Sequence, residues 1–178
     1  LAEGFNKPYL LLEDTGWGRS NYTTMLLALK QNGRVPSGIS WFKWGIKQNQ
    51  ASQLLKHINR TEADVIFFVG NAPEGTTFVL ASDELNGQFK LPIRSHWGIT
   101  GGNFINEQTS PIVSRLDLQF IQTRFSFLSS SIPANAKTIL EKTIGANEGI
   151  KNAKDIKAQT GFVHAYDLAK ILIAAMVQ

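Results

Sequence analysis

The residues best suited to chemistry lie in one stretch, residues 92–104. It holds one histidine, one tryptophan, a serine, a threonine and three glycines, and a short apolar run leads into it. Core strands have little use for such a mixture, whereas loops that bring rings and backbone close to a small molecule do. We therefore predict that this stretch is one wall of a ligand site, with His96, Trp97 and Gly98 in it.

Catalysis by His96 would need partner groups that the sequence does not supply. There is no G-x-S-x-G elbow, no phosphate-binding P-loop and no G-x-G-x-x-G fingerprint, of which residues 16–18 are only a fragment. His57 and His164 fall on predicted helices without a ligand partner four residues on, which argues against a metal site. We predict no catalytic residue, no metal and no cofactor. A Rossmann-like enzyme that uses His96 with Asp14 is the remote alternative.

Short apolar runs that alternate with amphipathic stretches must position this loop. Strands are predicted over residues 8–13, 39–42, 63–69 and 91–94, and helices over 19–32, from a cap at Asn49 to Ile58, and over 73–86. This order is typical of βαβ units with right-handed crossovers. The sequence therefore predicts an α/β fold, a Rossmann-like three-layer lobe with a parallel sheet.

Three loops are expected at the carboxyl edge of that sheet, where ligands of open parallel sheets bind. They are residues 14–18, 70–73 and 95–103. The first two lead into helix N-termini, which favour an anionic group. Trp17 and Trp97 would then face a planar or apolar ligand, or hold a cation. The alternative is that each tryptophan simply plugs the end of the sheet.

The remainder of the chain follows another pattern. A strand is predicted over 118–127, a linker over 129–133, a helix over 134–144 and a polar stretch over 145–160. A last helix over 162–177 is apolar nearly all round, so it should be buried against something.

Composition excludes several classes of protein. The chain has 178 residues, a formal net charge of +4 and no cysteine, and its 18 lysines and arginines are scattered. Scattered charge predicts no nucleic-acid partner. The lack of cysteine excludes disulfides and thiolate sites but fits both a reducing cytoplasm and a periplasm. No stretch approaches the ~18 apolar residues of a membrane span. A chain that opens at Leu1 without methionine favours a processed or trimmed product.

Glu13 and Asp14 suggest one rival interpretation. Paired acids after the first strand resemble the magnesium-binding end of a two-component receiver domain. That family also needs an aspartate after its third strand, where this chain has Val69 or Gly70. Asp64 lies at the wrong end of that strand, so the phosphoacceptor is missing and we set this interpretation aside.

Several segments together resemble another family. Residues 11–20, Leu-Leu-Glu-Asp-Thr-Gly-Trp-Gly-Arg-Ser, resemble the strand-loop-helix that opens the second lobe of type I periplasmic solute-binding proteins, the branched-chain amino acid and amide binders of ABC uptake systems. Residues 63–66, 71–74 and 95–104 continue the pattern. Residues 122–127 resemble the strand that crosses back through the hinge, and Tyr166-Asp167 resembles part of a first-lobe helix.

The resemblance implies a periplasmic binding protein with two lobes that close on a solute. Residues 1–126 would be the second, C-terminal lobe, and residues 127–178 the hinge return and helices of a largely absent first lobe. It also implies an extracytoplasmic location, with the signal sequence and first lobe outside this chain, and a membrane permease as partner. The last helix would pack on the second lobe or on another copy of the chain, giving a homodimer of the fragment.

The resemblance also assigns positions in the site. Trp17 stands where amino acid binders have a tyrosine, Asn71 and Ala72 where another aromatic often sits, and Trp97 where an acid pairs with the ligand ammonium. Without that acid an amino acid loses a contact worth roughly 1.5–3 kcal/mol. A neutral amide, a urea-like compound, an aromatic acid or a cation held by two tryptophans fits better, although Glu74 or Asp14 could replace the acid. The expected ligand-binding residues are Trp17, Asn71, Ala72, His96, Trp97 and Gly98.

The function that follows is the solute-binding component of an ABC uptake transporter, for a small amino-acid-like, amide or aromatic ligand. An extracellular ligand-sensing domain of a signalling protein shares the fold and is the alternative. A structural or interaction domain is favoured only if the loops at the carboxyl edge are buried.

Overall fold

The computed structural model describes residues 3–85, 87–122 and 125–176. The chain divides into two compact units, Leu1–Ile121 and Gln122–Gln178. Each unit has its own apolar core.

A parallel sheet forms the centre of the first unit. Its strands are β1 (Pro8–Glu13), β2 (Gly38–Phe42), β3 (Val65–Val69), β4 (Ile93–His96) and β5 (Leu118–Ile121), in the order β2-β1-β3-β4-β5. All four strand pairings are parallel. β1 is buried along its whole length, which explains its continuous apolar run, since a central strand in a sheet covered on both faces has no solvent side.

Helices cover the two faces of this sheet. They are α1 (Gly16–Gln31), α2 (Gln48–Ile58), α3 (Ala72–Glu84) and the short α4 (Ser110–Val113), with a 3-10 turn over Trp97–Thr100. Side chains alternate along β1: Tyr9 and Leu11 pack with α2 and α3, whereas Leu10 and Leu12 pack with α1. The predicted three-layer α/β arrangement with a parallel sheet is confirmed.

Several element boundaries differ from the predictions, and those of β4 and α2 have a clear structural reason. β4 begins at Ile93 and includes Ser95 and His96, which pair with Phe120 and Ile121 of β5. These polar residues are strand residues because a neighbouring strand supplies the hydrogen-bonding partners, which the local sequence does not reveal. The cap of α2 is Lys47 and not Asn49. The Lys47 N–H donates to the Gln50 side chain at 3.1 Å, so the helix begins two residues earlier.

The second unit consists of α5 (Ala134–Ala146), a 3-10 turn over Ala153–Asp155, and α6 (Gln159–Met176). Phe127, Ala136 and Ile156 form its core, with Phe125 and Phe162 packed against them. The predicted strand over 118–127 is therefore too long: β5 ends at Ile121, and Phe125 and Phe127 pack against each other in the second core. Positions 123 and 124 lie outside the described residues.

The apolar character of α6 is not matched by burial. Phe162 and Val163 pack into the second core. Large apolar side chains further along the helix are exposed, namely Leu168, Ile171, Leu172, Ile173 and Met176. Within this chain the carboxyl-terminal half of the helix is therefore exposed, and its burial against a partner surface stays a prediction. No described helix combines the length and hydropathy required to cross a membrane.

Candidate ligand site at the carboxyl edge of the sheet

The carboxyl ends of all the strands meet at one edge because every pairing is parallel. At the end of β1, the Thr15 side chain accepts the Gly18 N–H at 3.1 Å and caps α1. This cap starts α1 at Gly16, three residues before the predicted start, and places Trp17 in its first turn. Trp17 is 41% exposed, so it lies at the edge of the sheet without being enclosed.

His96, the last residue of β4, is bonded to the backbone through both ring nitrogens. The Gly98 N–H donates to Nδ1 at 3.0 Å, and Nε2 lies 3.1 Å from the Gly70 carbonyl oxygen. Because Nδ1 accepts, the proton resides on Nε2, which donates to Gly70. Burial lowers the pKa of His96, against an opposing effect of the Gly70 hydrogen bond. His96 is thus a neutral ring that ties the end of β3 to the turn after β4.

Three aromatic rings form a cluster around this histidine. The ring centroids of Trp17 and His96 are 4.7 Å apart in an edge arrangement, and those of His96 and Trp97 are 6.1 Å apart. Both distances fall in the range of favourable edge-to-face aromatic contacts. Trp97 is 48% exposed. The structure therefore brings together the two tryptophans that the sequence placed at this edge, with one imidazole between them.

A cleft of about 580 Å³ opens beside this aromatic cluster. Four of the six residues expected in the site line it: Asn71, Ala72, Trp97 and Gly98. The remaining lining residues are Pro73, Thr76, Gly101, Gly102, Asn103, Phe104 and Asn106. Trp17 and His96 do not line the cleft themselves and are linked to it through Trp97. The loops at the carboxyl edge are partly exposed. A purely structural or interaction domain was favoured only if these loops were buried, so it is not favoured.

Two buried carboxylates lie behind the cleft. Glu13 is 1% exposed and Glu74 is 6% exposed. Asn71 donates from Nδ2 to Glu13 at 3.3 Å, and the Gly45 N–H donates to Glu74 at 3.1 Å. Burial raises the pKa of Glu13, hydrogen bonding from the Trp44 side chain opposes this, and the charge of Glu74 adds to the rise.

This carboxylate pair and Trp44 were not found by sequence reasoning. Trp44 follows β2 as Trp17 follows β1 and Trp97 follows β4, so the rule that located three loops would also have located this fourth one. The sequence suggests Glu13 only as a metal-binding acid. Its partner Glu74 is distant along the chain, and only the fold shows that the two are close.

Asp14 does not pair with His96. It forms an ion pair with Arg19 at 2.5 Å, and the Arg19 guanidinium lies 3.7 Å from the centroid of the Trp41 ring. His96 is bonded to Gly70 and Gly98. The geometry therefore does not assemble the histidine and aspartate of the remote enzyme alternative. Among the described residues there is no group of three or more histidine, aspartate or glutamate side chains placed to hold a metal ion.

A larger cleft lies at the opposite edge of the sheet. Its volume is about 760 Å³, and its lining residues are Asn6, Lys7, Asn32, Gly33, Arg34, Val35, Pro36, Ser37 and Glu62. These residues belong to the loops that precede β1, β2 and β3. By volume alone this cleft would be the candidate ligand site. The exposed aromatic side chains and the position at the strand ends favour the cleft at the carboxyl edge instead.

Replacing Glu13 with glutamine is expected to change how stability depends on pH. The pKa of Glu13 is raised above its usual 4.5, so the folded state holds this proton more tightly than the unfolded state. The free energy of unfolding therefore contains a contribution that falls as pH rises above 4.5. Glu13→Gln should remove this decrease in the free energy of unfolding, so the variant should be more stable than the wild type at pH about 8. Urea unfolding at several pH values from 4.5 upward measures the difference.

Glu62→Gln is the matched control. Glu62 is exposed, and hydrogen bonding to Lys7 lowers its pKa. Its stabilising contribution is therefore lost only as pH falls below 4.5. A Glu13→Gln variant that keeps the wild-type pH slope would show that Glu13 is not buried as described.

Comparison with known proteins shows what this fold is similar to. No protein-family model matches the sequence, and no match to a curated protein was found. Solved structures do match. An extracellular ligand-binding receptor from Verminephrobacter eiseniae matches with a TM-score of 0.67 and 12% identity, over 89% of this chain and 43% of that chain. A branched-chain amino acid ABC transporter periplasmic ligand-binding protein from Burkholderia xenovorans matches with a TM-score of 0.53 and 11% identity, over 90% and 40%.

The chain has the fold of type I periplasmic solute-binding proteins. The resemblance predicted from sequence is thereby confirmed. An ABC transporter solute-binding protein from R. palustris, solved in complex with 4-hydroxybenzoate, has the same periplasmic solute-binding fold, with a TM-score of 0.63 and 18% identity over 93% of this chain and 44% of that chain. The chain spans less than half the length of these matched structures.

Proposed function

We propose that this chain is the ligand-binding part of an extracytoplasmic solute-binding component of an ABC uptake transporter. The observation that supports this most is the cleft of about 580 Å³ at the carboxyl edge, lined by Asn71, Ala72, Trp97 and Gly98. Small molecules bind at this edge in open parallel sheets. The ligand-binding set is these four residues with Trp17 and His96, which support Trp97 from behind.

The charges near the cleft favour a planar amide or an aromatic acid over an α-amino acid. An amino acid needs an accessible carboxylate for its ammonium group. Trp97 occupies the position where the family resemblance implies that acid. Asp14 is paired with Arg19, and Glu74 is buried and accepts the Gly45 N–H. The complex of the R. palustris protein with 4-hydroxybenzoate shows that one protein of this fold takes an aromatic acid.

The lobe assignment follows from the same proposal. Residues 1–126 act as the second lobe, and residues 127–178 as the hinge return and first-lobe helices. The partners are then the solute and the membrane permease of the transporter, and the location is periplasmic. The matched protein from Burkholderia xenovorans is a periplasmic ligand-binding protein of an ABC transporter, which supports the periplasmic location and the permease partner.

A second copy of this chain, in a homodimer, is the third partner that we propose. The exposed apolar side chains of α6, such as Ile171 and Met176, form a surface that water disfavours. A second copy of the chain is present in any purified sample and can cover these side chains. Sedimentation should show a dimer that Ile171→Glu converts to a monomer, and a wild-type monomer at all concentrations would refute the dimer.

Solute binding is tested by thermal unfolding with 4-hydroxybenzoate, benzamide and L-leucine as probes. A ligand that binds only the folded state raises the midpoint by mass action. We expect 4-hydroxybenzoate or benzamide to raise it more than L-leucine. Trp97→Ala should abolish the rise, whereas Val35→Ala, an exposed position at the opposite edge, should keep it. No rise with any probe would contradict the proposed function.

A further inference from the structure

A fourth loop lies at the carboxyl edge, between β2 and α2, and it carries an exposed tryptophan. β2 ends at Phe42 and α2 begins at Gln48, so residues 43–47 occupy the same edge as the three predicted loops. Trp44 is 71% exposed, more than Trp17 or Trp97. A large aromatic side chain so exposed at a ligand edge needs an explanation.

The loop around Trp44 is held from below by the two buried carboxylates. The Gly45 N–H donates to Glu74 at 3.1 Å, and the Trp44 side chain is near enough to Glu13 to oppose the rise in the pKa of that carboxyl. Gly45 has φ of 68°, which glycine adopts readily and other residues rarely do. Ile46 packs against the main core on the other side of this glycine. The ring is thus exposed while the backbone that carries it is fixed.

Glu13 and Glu74 also connect the loop around Trp44 to the cleft. Glu13 accepts a hydrogen bond from Asn71 at 3.3 Å, and Asn71 lines the cleft beside Trp97 and Gly98. The Asp14 N–H also donates to the Phe42 carbonyl at 2.7 Å, which holds the ends of β1 and β2 together. Glu74, which accepts the Gly45 N–H, lies in the first turn of α3 beside Ala72 and Pro73, which line the cleft, so the Trp44 loop is joined to this wall of the cleft.

We propose that Trp44 is a further ligand-binding residue, an aromatic wall that packs against a planar ring of the solute. This inference rests on the proposed function and narrows its ligand class to molecules with a planar conjugated ring. A fixed, exposed indole gives a large flat surface at little entropic cost. The nearby carboxylates are buried and bonded to Asn71 and Gly45, so they anchor the loop and leave the indole face as the recognition surface.

Calorimetric titration with two matched probes tests this. 4-Hydroxybenzoate has a planar ring, and cyclohexanecarboxylate has the same carboxylate on a puckered ring. We expect Trp44→Ala to weaken 4-hydroxybenzoate binding about tenfold or more, and Trp44→Phe to restore it to within about threefold, because a phenyl ring retains a flat face. Binding of cyclohexanecarboxylate should change much less.

Alternatively, Trp44 only covers Glu13, and this role predicts different effects of Trp44→Ala on stability and on ligand affinity. Trp44→Ala would then alter the pH dependence of unfolding while leaving both affinities unchanged, and the inference would be wrong. If Trp97→Ala weakens binding while Trp44→Ala does not, the proposed function stands and this inference alone falls. If the wild type binds neither probe, the proposed function fails and this inference with it.

Discussion

Gly18→Ala is expected to destabilise the protein by about 3 kcal/mol, the largest effect on stability that we foresee. A β-carbon at Gly18 would lie 1.8 Å from the carbonyl oxygen of Glu13. The obstacle is backbone, which cannot rotate away, so α1 would have to move off the end of β1. The displaced turn carries Trp17, so the site should be disturbed as well. Urea unfolding followed by circular dichroism measures the loss.

Gly16→Ala provides the control, because Gly16 lies in the same helical turn and an added β-carbon there meets nothing within 4 Å. Alanine is also the better helix former. Gly16→Ala should therefore be neutral or slightly stabilising. Equal stability of Gly18→Ala and Gly16→Ala, within about 0.5 kcal/mol, would show that α1 does not approach β1 as described.

Gly98→Ala is expected to weaken ligand binding about tenfold or more, equivalent to about 1.4 kcal/mol or more. A β-carbon at Gly98 would lie 2.2 Å from Cε1 of His96 and 3.0 Å from Oδ1 of Asn71. Both side chains would have to shift, and the hydrogen bond from the Gly98 N–H to His96 would be strained. The aromatic cluster and the cleft wall would then change together. Titration with 4-hydroxybenzoate gives the affinity.

Gly101→Ala separates this effect from a general loss of stability in the turn. Gly101 also lines the cleft, yet an added β-carbon would meet its nearest neighbours at 3.5 and 3.9 Å, an ordinary contact distance. We expect near wild-type affinity for this variant. If both glycine variants bind equally well, the His96–Gly98 arrangement does not shape the site.

The sheet was predictable because its strands leave a local signal. β1 and β3 are short continuous apolar runs, as fully buried strands require. The loops at the carboxyl edge then followed from topology alone. β4 was harder, because Ser95 and His96 carry no strand signal and are held in the sheet by pairing with β5.

The parts that sequence reasoning missed depend on residues far apart along the chain. From the sequence, Glu13 suggests a metal-binding acid at the end of a strand, and only the fold places it near Trp44 and next to Asn71. In the same way, the apolar pattern of α6 predicts that the helix packs against another surface, but it does not identify that surface. Its exposed side chains show that the pattern alone does not establish burial within this chain.

Binding of a small planar solute at the carboxyl edge of the sheet should be visible by amide chemical-shift mapping with 4-hydroxybenzoate. At 19.7 kDa the chain is suitable for ¹⁵N–¹H spectra. We expect the perturbed amides to cluster in residues 15–18, 43–46, 70–73 and 96–103. Perturbations centred on the opposite cleft, at residues 32–37, or the absence of any perturbation at saturating probe would contradict it.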